Sequence, residues 1–433
     1  MKPSPVSARS ESLHPTLEAV FGALDRSGAS WSLLRGEDDL ARPSGDVDLL
    51  VARSDLTRVR QVLERLGFVP LPAWGYGPHT FFLAYEPRDD GWIKLDLVTA
   101  LAFGPYFALE SGAAAETLTR RVWVEGVHVL APADAFWALF LHCLLDEGAF
   151  PPRHRERLQK LASAAGTGGP LEQAFEAACP PGWSSARAVE CVERGDWDAL
   201  TRIRGDAIAG WRRRQPLAAW RRTVTNAGLR RVGRVLLRAL RRRGLSVALV
   251  APDGAGKSTL AAALGESFYF PVRSVYMGLY RRGGKRRHGV RVAGLGLTGR
   301  LLTQWSRWLS ARYHQARGRL VVFDRYTYDA LLPPRRPTSR LGRVRRWVLG
   351  HACPRPDLVV MLDAPGEVLH ERKGELSPTV LEEERVRYLE LRRRLPKMVV
   401  IDATQDPDHV RRELVSLIWQ SYRRRWGGAR GAS

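Results

Sequence analysis

Apolar and polar residues alternate in short runs along the first third of the chain. From about Leu13 to Leu145 the runs have the period of two that is typical of strands, and a helical period separates two of them at Asp55 to Leu66. The predicted strands are Trp31 to Arg35, Val47 to Val51, Phe81 to Tyr85, Ile93 to Val98 and Val122 to Leu130. This mixture predicts an α+β or α/β unit.

A longer apolar stretch, Ala133 to Leu145, follows these strands. Asp134 and His142 interrupt it, and it is too short to span the hydrocarbon core of a membrane, so a buried helix is predicted. The glycine-rich stretch Ala164 to Pro170 then breaks the pattern and predicts a linker, after which we expect a helical connector.

The connector is strongly basic. Between Ala207 and Gly244 it has twelve arginines and no acidic residue. A helical apolar stripe runs through it, formed by Leu229, Val232, Leu236, Leu237 and Leu240. Two interpretations stay open: the stripe packs on the following domain while the arginines face water, or the helix contacts nucleic acid or a membrane surface.

A second alternating pattern begins after Gly244. Its predicted strands are Leu245 to Val250, Leu320 to Phe323, Leu358 to Leu362 and Met398 to Ile401, with helical segments between them. Strands that alternate with helices predict an α/β fold with a parallel sheet flanked by helices. We therefore predict a first domain over residues 13–163, a basic helical connector over 164–244 and a second domain over 245–425.

Composition narrows the classes of protein and of partner. The net charge of +23 favours polyanionic partners such as nucleotides, nucleic acid, phosphorylated glycans or an anionic membrane, although an arginine-biased coding composition explains it equally well. Four scattered cysteines without a CxxC pair predict neither a disulfide framework nor a zinc site. The N-terminus shows no apolar segment of a secretory signal, so a cytoplasmic location is expected.

The turn after the first strand of the second domain has the spacing of a phosphate-binding loop. The segment APDGAGKST starts at Ala251, follows an apolar strand and opens a helical segment, which is the context that this motif requires. Glycines let backbone N–H groups surround phosphate oxygens, Lys257 neutralises phosphate charge, and the Ser258 hydroxyl suits Mg²⁺. The residues expected to bind ATP are Asp253, Gly254, Ala255, Gly256, Lys257, Ser258 and Thr259.

Another apolar strand of this domain ends in a charged pair, Asp324 and Arg325, within LVVFDRYTYD. A carboxylate at the end of a parallel strand beside the loop is placed to hold Mg²⁺ or to orient an acceptor hydroxyl. An adjacent arginine grips phosphate through two N–H groups. The sequence therefore predicts that both side chains belong to the nucleotide site.

The second domain resembles the thymidylate kinase family of P-loop kinases. The resemblance rests on APDGAGKST, on FDRY and on the run PDLVVMLDAPGEVLHERKGEL followed by LEEERVRYLEL, and it covers about Leu245 to Tyr422. It implies phosphoryl transfer from ATP, with Asp324 and Arg325 at the acceptor and the transferred phosphate. It also implies a lid segment that begins at Arg372 and Lys373, near the nucleotide. The catalytic residues expected on these grounds are Lys257, Asp324, Arg325 and Arg372.

The sequence does not determine which molecule accepts the phosphoryl group. In place of the segments with which that family holds thymidine monophosphate, the chain has DRYTYDALLPPRR, and basic residues cluster between Arg281 and Arg291. The expected acceptor is a nucleotide, a sugar or another small anion. Genuine thymidylate kinase activity is one alternative, and a nucleotide-gated module that binds nucleic acid or membrane is another.

The first domain has a set of acidic residues on its predicted strands. Asp46 and Asp48 share one face of a strand because side chains alternate with a period of two, and Asp96 lies in the apolar strand IKLDLV. Three such carboxylates can hold the Mg²⁺ ions that support attack on a nucleoside triphosphate. The metal ligands predicted for the two domains are Ser258, Asp324, Asp46, Asp48 and Asp96.

The first domain resembles the nucleotidyltransferase fold, specifically an uncharacterised bacterial branch. The resemblance rests on LRGEDDLARPSGDVDLLV and on the later strand acid Asp96, and it covers about Leu13 to Leu145. It implies that this domain transfers a nucleotide. A structural acidic strand without catalysis is the alternative. The leading hypothesis is a Mg²⁺-dependent kinase fused to a nucleotidyltransferase-like domain.

Overall fold

The computed structural model describes residues 13–35, 40–43, 45–71, 76–166, 168–233, 244–278, 296–334 and 337–427. They form two compact units, one of residues 13–86 and 91–233 and the other of residues 87–90 and 244–426. The described helices of the predicted connector belong to the first unit. The stripe residues Leu236, Leu237 and Leu240 and the basic cluster at 281–291 lie outside the described residues.

The first unit has a mixed sheet. Its strands are β1 (Trp31–Arg35), β2 (Asp46–Val51), β3 (Val69–Pro70), β4 (His79–Glu86) and β5 (Gly91–Val98), with a small separate pair β6 (Ala102–Phe103) and β7 (Leu109–Glu110), and then β8 (Val122–Val124) and β9 (Val127–Val129). The order in the main sheet is β3-β4-β5-β2-β1-β9-β8, and β2 and β5 are parallel neighbours.

One predicted strand of this unit is wrong. Val122 to Leu130 forms the hairpin of β8 and β9 rather than a single strand. Glu125 and Gly126 have φ angles of 45° and 88°, which two-residue turns of tight hairpins require at both central positions. The local backbone conformation of these two residues therefore divides an otherwise continuous apolar run.

Helices complete the first unit. They are α1 (Pro15–Arg26), α2 (Leu56–Arg65), α3 (Ala114–Thr119), α4 (Pro132–Leu141), α5 (Pro152–Ala162), α6 (Pro170–Ala178), α7 (Ser185–Arg194), α8 (Trp197–Arg202), α9 (Arg204–Arg214) and α10 (Pro216–Gly228). The predicted buried helix is confirmed: α4 is buried along its length, and it continues as a π-helix at His142–Glu147.

The second unit has a parallel sheet flanked by helices, as predicted. Its strands are β10 (Ser246–Val250), β11 (Val272–Tyr276), β12 (Leu320–Asp324), β13 (Leu358–Asp363) and β14 (Val399–Asp402), in the order β11-β12-β10-β13-β14. Its helices are α11 (Lys257–Ser267), α12 (Thr298–Ala316), α13 (Arg340–Gly350), α14 (Gly366–Lys373), α15 (Pro378–Leu391) and α16 (Pro407–Trp426).

Strand β11 is not predicted by the pattern of apolar residues. This strand lies at the edge of the sheet, and its residues Arg273 and Ser274 are exposed, so it lacks the continuous apolar run that marks the central strands. In the centre, by contrast, all five residues of β10 and of β12 are buried. No helix in the described part of the chain has the length and apolar character needed to cross a membrane.

Candidate functional site

The predicted phosphate-binding loop connects the central strand β10 to α11. Gly254 and Gly256 have φ angles of 90° and 81°, in the region that favours glycine. A Cβ atom on Gly254 would lie 2.5 Å from the carbonyl oxygen of Leu369, which leaves no room for a side chain. The two glycines therefore allow the tight turn that ends at the N-terminus of α11.

The Lys257 side chain folds back over this loop. Its Nζ donates to the carbonyl oxygens of Ala251 at 2.9 Å and Pro252 at 2.6 Å, and the residue is only 7% exposed. Burial, together with the nearby Arg325 guanidinium, lowers the pKa of Lys257 to about 8. The ammonium group is thus held by carbonyl groups in a position from which it can turn towards a phosphate.

Asp324 and Arg325 lie at the end of β12, beside the loop. Asp324 pairs with Leu249 of β10 in the parallel register, and its side chain is almost fully buried. Arg325 has a φ of 65°, which is uncommon for a residue with a side chain. Its guanidinium lies 2.5 Å from Asp253 Oδ1 and 3.5 Å from Asp329 Oδ2, so it lies between the loop and the next turn of chain.

A buried acidic residue, Asp329, supports Arg325 from the other side. Its carboxylate accepts a hydrogen bond of 3.0 Å from the Tyr388 hydroxyl. Burial raises the pKa of Asp329, and the Arg325 guanidinium opposes that effect. The sequence predicts no role for Asp329 or Tyr388, because they lie in a short 3₁₀ turn and on α15 and have no recognisable spacing.

An ion pair fixes α15 against the sheet. Arg385 donates to both oxygens of Asp363, at 2.6 and 3.0 Å, and to Glu382 at 2.8 Å. Asp363 ends β13, so this bidentate contact anchors the helix that carries Tyr388 to a strand next to β10.

One cavity of about 1360 Å³ within the second unit is lined by Lys257, Arg325, Asp329 and Tyr388. Its walls include the loop from Asp253 to Thr259, Asp324, Arg325 and Arg372. Every predicted ATP-binding and catalytic residue of this unit therefore faces the same space. The cavity exceeds the roughly 300–1,000 Å³ that is usual for a small-molecule site, so it has room for a nucleotide and an acceptor together.

The donor atoms of this cavity fit Mg²⁺. Ser258 supplies a hydroxyl and Asp324 a carboxylate, and Mg²⁺ prefers such oxygen ligands. Positively charged side chains also line the cavity outside the loop, namely those of Arg346, Lys373 and Arg387. The cavity therefore combines the predicted phosphate-binding loop with further cationic side chains.

The first unit brings two of its three predicted carboxylates together. Asp48 of β2 and Asp96 of β5 are direct partners in the parallel register. Asp46 is placed differently: its carboxylate lies 2.5 Å from the Lys94 ammonium, and its side chain is 42% exposed. The carboxylates that share the interior of this site are therefore Asp48 and Asp96.

Both interior carboxylates have basic partners, but one oxygen has none. Asp48 is 2.7 Å from Arg35. Burial raises the pKa of Asp48, the Arg35 guanidinium opposes this effect, and the neighbouring Asp96 carboxylate adds to it. Asp96 Oδ2 is 2.7 Å from His79 Nδ1, while the buried Asp96 Oδ1 has no hydrogen-bond partner among the described residues. Since a buried carboxylate oxygen without a partner is costly, a cation fits at this position.

Asp96 also lines a separate cavity of about 460 Å³ in the first unit. Arg35 and His79 line it too, and the His79 ring lies 4.3 Å from the ring of Phe107. The cavity thus offers a carboxylate, basic groups and an aromatic wall.

Comparison with known proteins adds little. No protein-family model matches the chain, and no curated protein matches it. Solved structures do match, among them thymidylate kinase from Candida albicans, with 18% identity over 42% of this chain and 93% of that chain and a TM-score of 0.30. Because a TM-score of this size carries no argument, the functional interpretation rests on the geometry of the two sites.

Proposed function

We propose that the second unit is an ATP-dependent phosphotransferase. The observation that carries this proposal is the buried Lys257, whose side chain is held inside the glycine-containing loop at the end of β10. Asp324 and Arg325 lie at the end of the neighbouring strand. A loop of this kind presents backbone N–H groups and the start of a helix to phosphate oxygens. Phosphoryl transfer depends mainly on such positioning and on charge stabilisation.

Each group has a distinct role in this proposal. The loop from Gly254 to Thr259 binds the β- and γ-phosphates, and Lys257 exchanges its carbonyl contacts for phosphate oxygens. Arg325 stabilises the charge on the migrating phosphoryl group or orients the acceptor. Ser258 and Asp324 would hold Mg²⁺, which supplies further neutralisation of phosphate charge when bound.

The acceptor is a small anionic or sugar-like molecule. Arg346, Arg372 and Arg387 line the cavity, so it offers guanidinium groups to an acceptor's negative charge in addition to those needed at the loop. A nucleotide, a sugar phosphate and thymidine monophosphate itself all have the required charge. A direct assay with thymidine monophosphate and ATP separates genuine thymidylate kinase activity from the other candidates.

A library of nucleotides, sugars and sugar phosphates, incubated with γ-labelled ATP and the full chain, tests the proposal. We expect label to move to at least one acceptor with the wild type and with Lys397→Ala, which changes an exposed lysine outside the cavity. Release of labelled phosphate to water alone, with no acceptor labelled in any pool, would contradict a kinase function.

A second candidate function, nucleotidyl transfer, is supported by the first unit. The specific observation is the Asp48 and Asp96 pair, whose buried Asp96 Oδ1 has no hydrogen-bond partner among the described residues, an arrangement that fits one or two Mg²⁺ ions. In such a reaction an acceptor takes the α-phosphoryl group with its nucleoside, and pyrophosphate leaves. ATP labelled at the α-position distinguishes the two activities, because only nucleotidyl transfer attaches that label to an acceptor.

A further inference from the structure

The first unit contains a cluster of ligand-type side chains that neither proposed reaction uses. It lies where the π-helix His142–Glu147 is followed by α5, and its members are His142, Cys143, Glu147 and His154. A π-helix within a helical segment is rare and often marks a functional site. The cluster therefore needs an explanation of its own.

The geometry of the cluster suits a small cation. Cys143 Sγ, a Glu147 carboxylate oxygen and a His154 ring nitrogen all lie within 4.8 Å of one another. Glu147 Oε1 is 3.5 Å from His142 Nε2 and 3.9 Å from His154 Nε2. Ligands about 2.0–2.3 Å from a tetrahedral zinc ion lie about 3.3–3.8 Å apart, so side-chain movements of about 1 Å bring Cys143, Glu147 and His154 to that spacing.

His142 is oriented as metal-binding histidines usually are. Its Nδ1 lies 2.8 Å from Asp146 Oδ2, and Asp146 Oδ1 accepts a hydrogen bond of 2.6 Å from the Gly104 N–H. A ligating histidine commonly uses its second ring nitrogen in this way, with a carboxylate that fixes the ring. The Asp146 contact therefore leaves Nε2 of His142 directed towards Glu147.

A basic side chain shares the cluster. Arg153 lies 3.0 Å from Glu147 Oε1, and its Nε is 3.1 Å from His154 Nε2. This side chain is 70% exposed, so it can move into solvent when a metal ion takes its place beside Glu147. Its present position shows that the centre of the cluster attracts positive charge.

We propose that Cys143, Glu147, His154 and His142 bind a zinc ion. Sulfur, imidazole and one carboxylate form a donor set that zinc prefers and that Mg²⁺ does not. Binding forms a bond between the metal and the Cys143 sulfur and releases the thiol proton to solvent. The ion joins the end of α4 to α5, next to the cavity that Asp96, His142 and Asp146 line.

Cobalt substitution of the full chain tests this site directly. The reduced, chelator-treated protein is titrated with Co²⁺ in the presence of excess Mg²⁺, and thiolate-to-cobalt charge-transfer absorption is recorded together with the visible bands of tetrahedral cobalt. We expect one Co²⁺ per chain, which Zn²⁺ displaces. The Cys179→Ser and Cys191→Ser variants serve as matched controls and keep the signal.

Variants within the cluster make the test specific. Cys143→Ser removes the charge-transfer band, and His154→Ala, at a half-buried position, removes tetrahedral binding without emptying the core. Asp146→Asn weakens Co²⁺ binding about 10- to 100-fold, as expected for the partner of a ligating histidine. Arg153→Ala tightens binding, because it removes the competing cation.

Two results would overturn the zinc proposal: no charge-transfer band in the wild type, or a band that persists in a folded Cys143→Ser variant. Circular dichroism of each variant shows whether the fold is retained. If Cys143→Ser does not fold, an unchanged cobalt spectrum in folded His154→Ala also contradicts the site.

Discussion

The candidate site of the second unit consists mainly of one contiguous loop, which lies beside the ends of neighbouring strands. The candidate site of the first unit instead consists of carboxylates that are 48 residues apart in the sequence and meet only through the register of their strands. In the loop, the sequence between Asp253 and Thr259 determines the backbone conformation and places the residues predicted to bind ATP next to one another. In the first unit, the pairing of β2 with β5 decides that Asp48 faces Asp96. A local motif therefore predicts a site more completely than a set of dispersed residues.

The sharpest test of the dispersed site is Asp96→Asn. It removes the buried carboxylate whose second oxygen has no partner among the described residues, so it should abolish attachment of α-label from ATP. The rate of a reaction that depends on bound metal ions should fall about 10²- to 10³-fold when a shared ligand is lost, by the scale of single charge-stabilising groups. Transfer of γ-label by the second unit should not change.

Asp46→Asn is the matched comparison within the first unit. The Asp46 carboxylate is paired with Lys94 and 42% exposed, so we expect a smaller loss of α-label transfer than in Asp96→Asn. Equal losses in the two variants would show that all three carboxylates act together, and no loss in Asp96→Asn would remove the nucleotidyltransferase interpretation.

Gly254→Ala tests the contiguous loop. A side chain at this position must adopt a φ near 90° and meets the Leu369 carbonyl oxygen at 2.5 Å. Strain of about 1 to 3 kcal/mol is expected, and about 1.4 kcal/mol corresponds to a tenfold change in affinity, so ATP binding should weaken about 5- to 150-fold.

Gly265→Ala is the control for that variant. Gly265 lies in α11, and no atom of the described residues is within 4 Å of the added methyl group, so calorimetry should show ATP affinity equal to that of the wild type. Similar affinities for ATP in the Gly254 and Gly265 variants would mean that the loop does not bind phosphate in the way proposed.

Tyr388→Phe tests the support that Arg325 receives. The variant removes the hydroxyl that donates to Asp329, so the carboxylate that faces Arg325 is held less firmly while the loop stays intact. Loss of about 1 kcal/mol of transition-state stabilisation predicts a roughly fivefold fall in kcat with little change in KM for ATP. Tyr313→Phe, at an exposed site on α12, should have no effect on either constant. A rise in KM alone would place Tyr388 in binding rather than in positioning.

The smallest expected effect is proton uptake on ATP binding. In the free protein the pKa of Lys257 is lowered to about 8, so near pH 8 about half of these side chains are neutral. Phosphate charge favours the ammonium form, so binding raises this pKa and takes up a fraction of a proton. Calorimetry in two buffers of different ionisation enthalpy measures the uptake, which should disappear in Lys257→Ala.

The same shift affects folding in a defined direction. Because the folded pKa of Lys257 is below the unfolded value of 10.5, the unfolded chain binds more protons between about pH 8 and pH 10.5. The contribution of this group to the free energy of unfolding therefore rises with pH across that window. A fall in the wild type relative to Lys257→Ala over the same window would contradict the burial of the lysine.

The sequence could predict the parts of the molecule that depend on local patterns. The buried strands at Ser246–Val250 and Leu320–Asp324 are continuous apolar runs, and APDGAGKST determines its own turn. It could not show that Glu125 and Gly126 divide one run into a hairpin, because an unusual φ at Glu125 follows from the pairing of the flanking strands. It also missed the edge strand β11, whose side chains are half exposed.

Side-chain partners were the least predictable feature. Asp329 and Tyr388 are 59 residues apart and meet through tertiary packing, and the pairing of Asp46 with Lys94 follows from strand register. The lack of a CxxC pair predicts no zinc site, whereas the ligands proposed around Cys143 come from the same π-helix and from α5. Contacts of this kind become visible only when the chain is folded.

The central claim is that Lys257 and its loop support phosphoryl transfer from ATP. The most direct measurement is the initial rate of ADP formation by the purified full chain with Mg²⁺, compared between the wild type, Lys257→Ala and the surface control Lys397→Ala. We predict that Lys257→Ala lowers the rate about a hundredfold or more, while Lys397→Ala matches the wild type. An unchanged rate in folded Lys257→Ala would contradict the assignment of this loop as the catalytic phosphate-binding site.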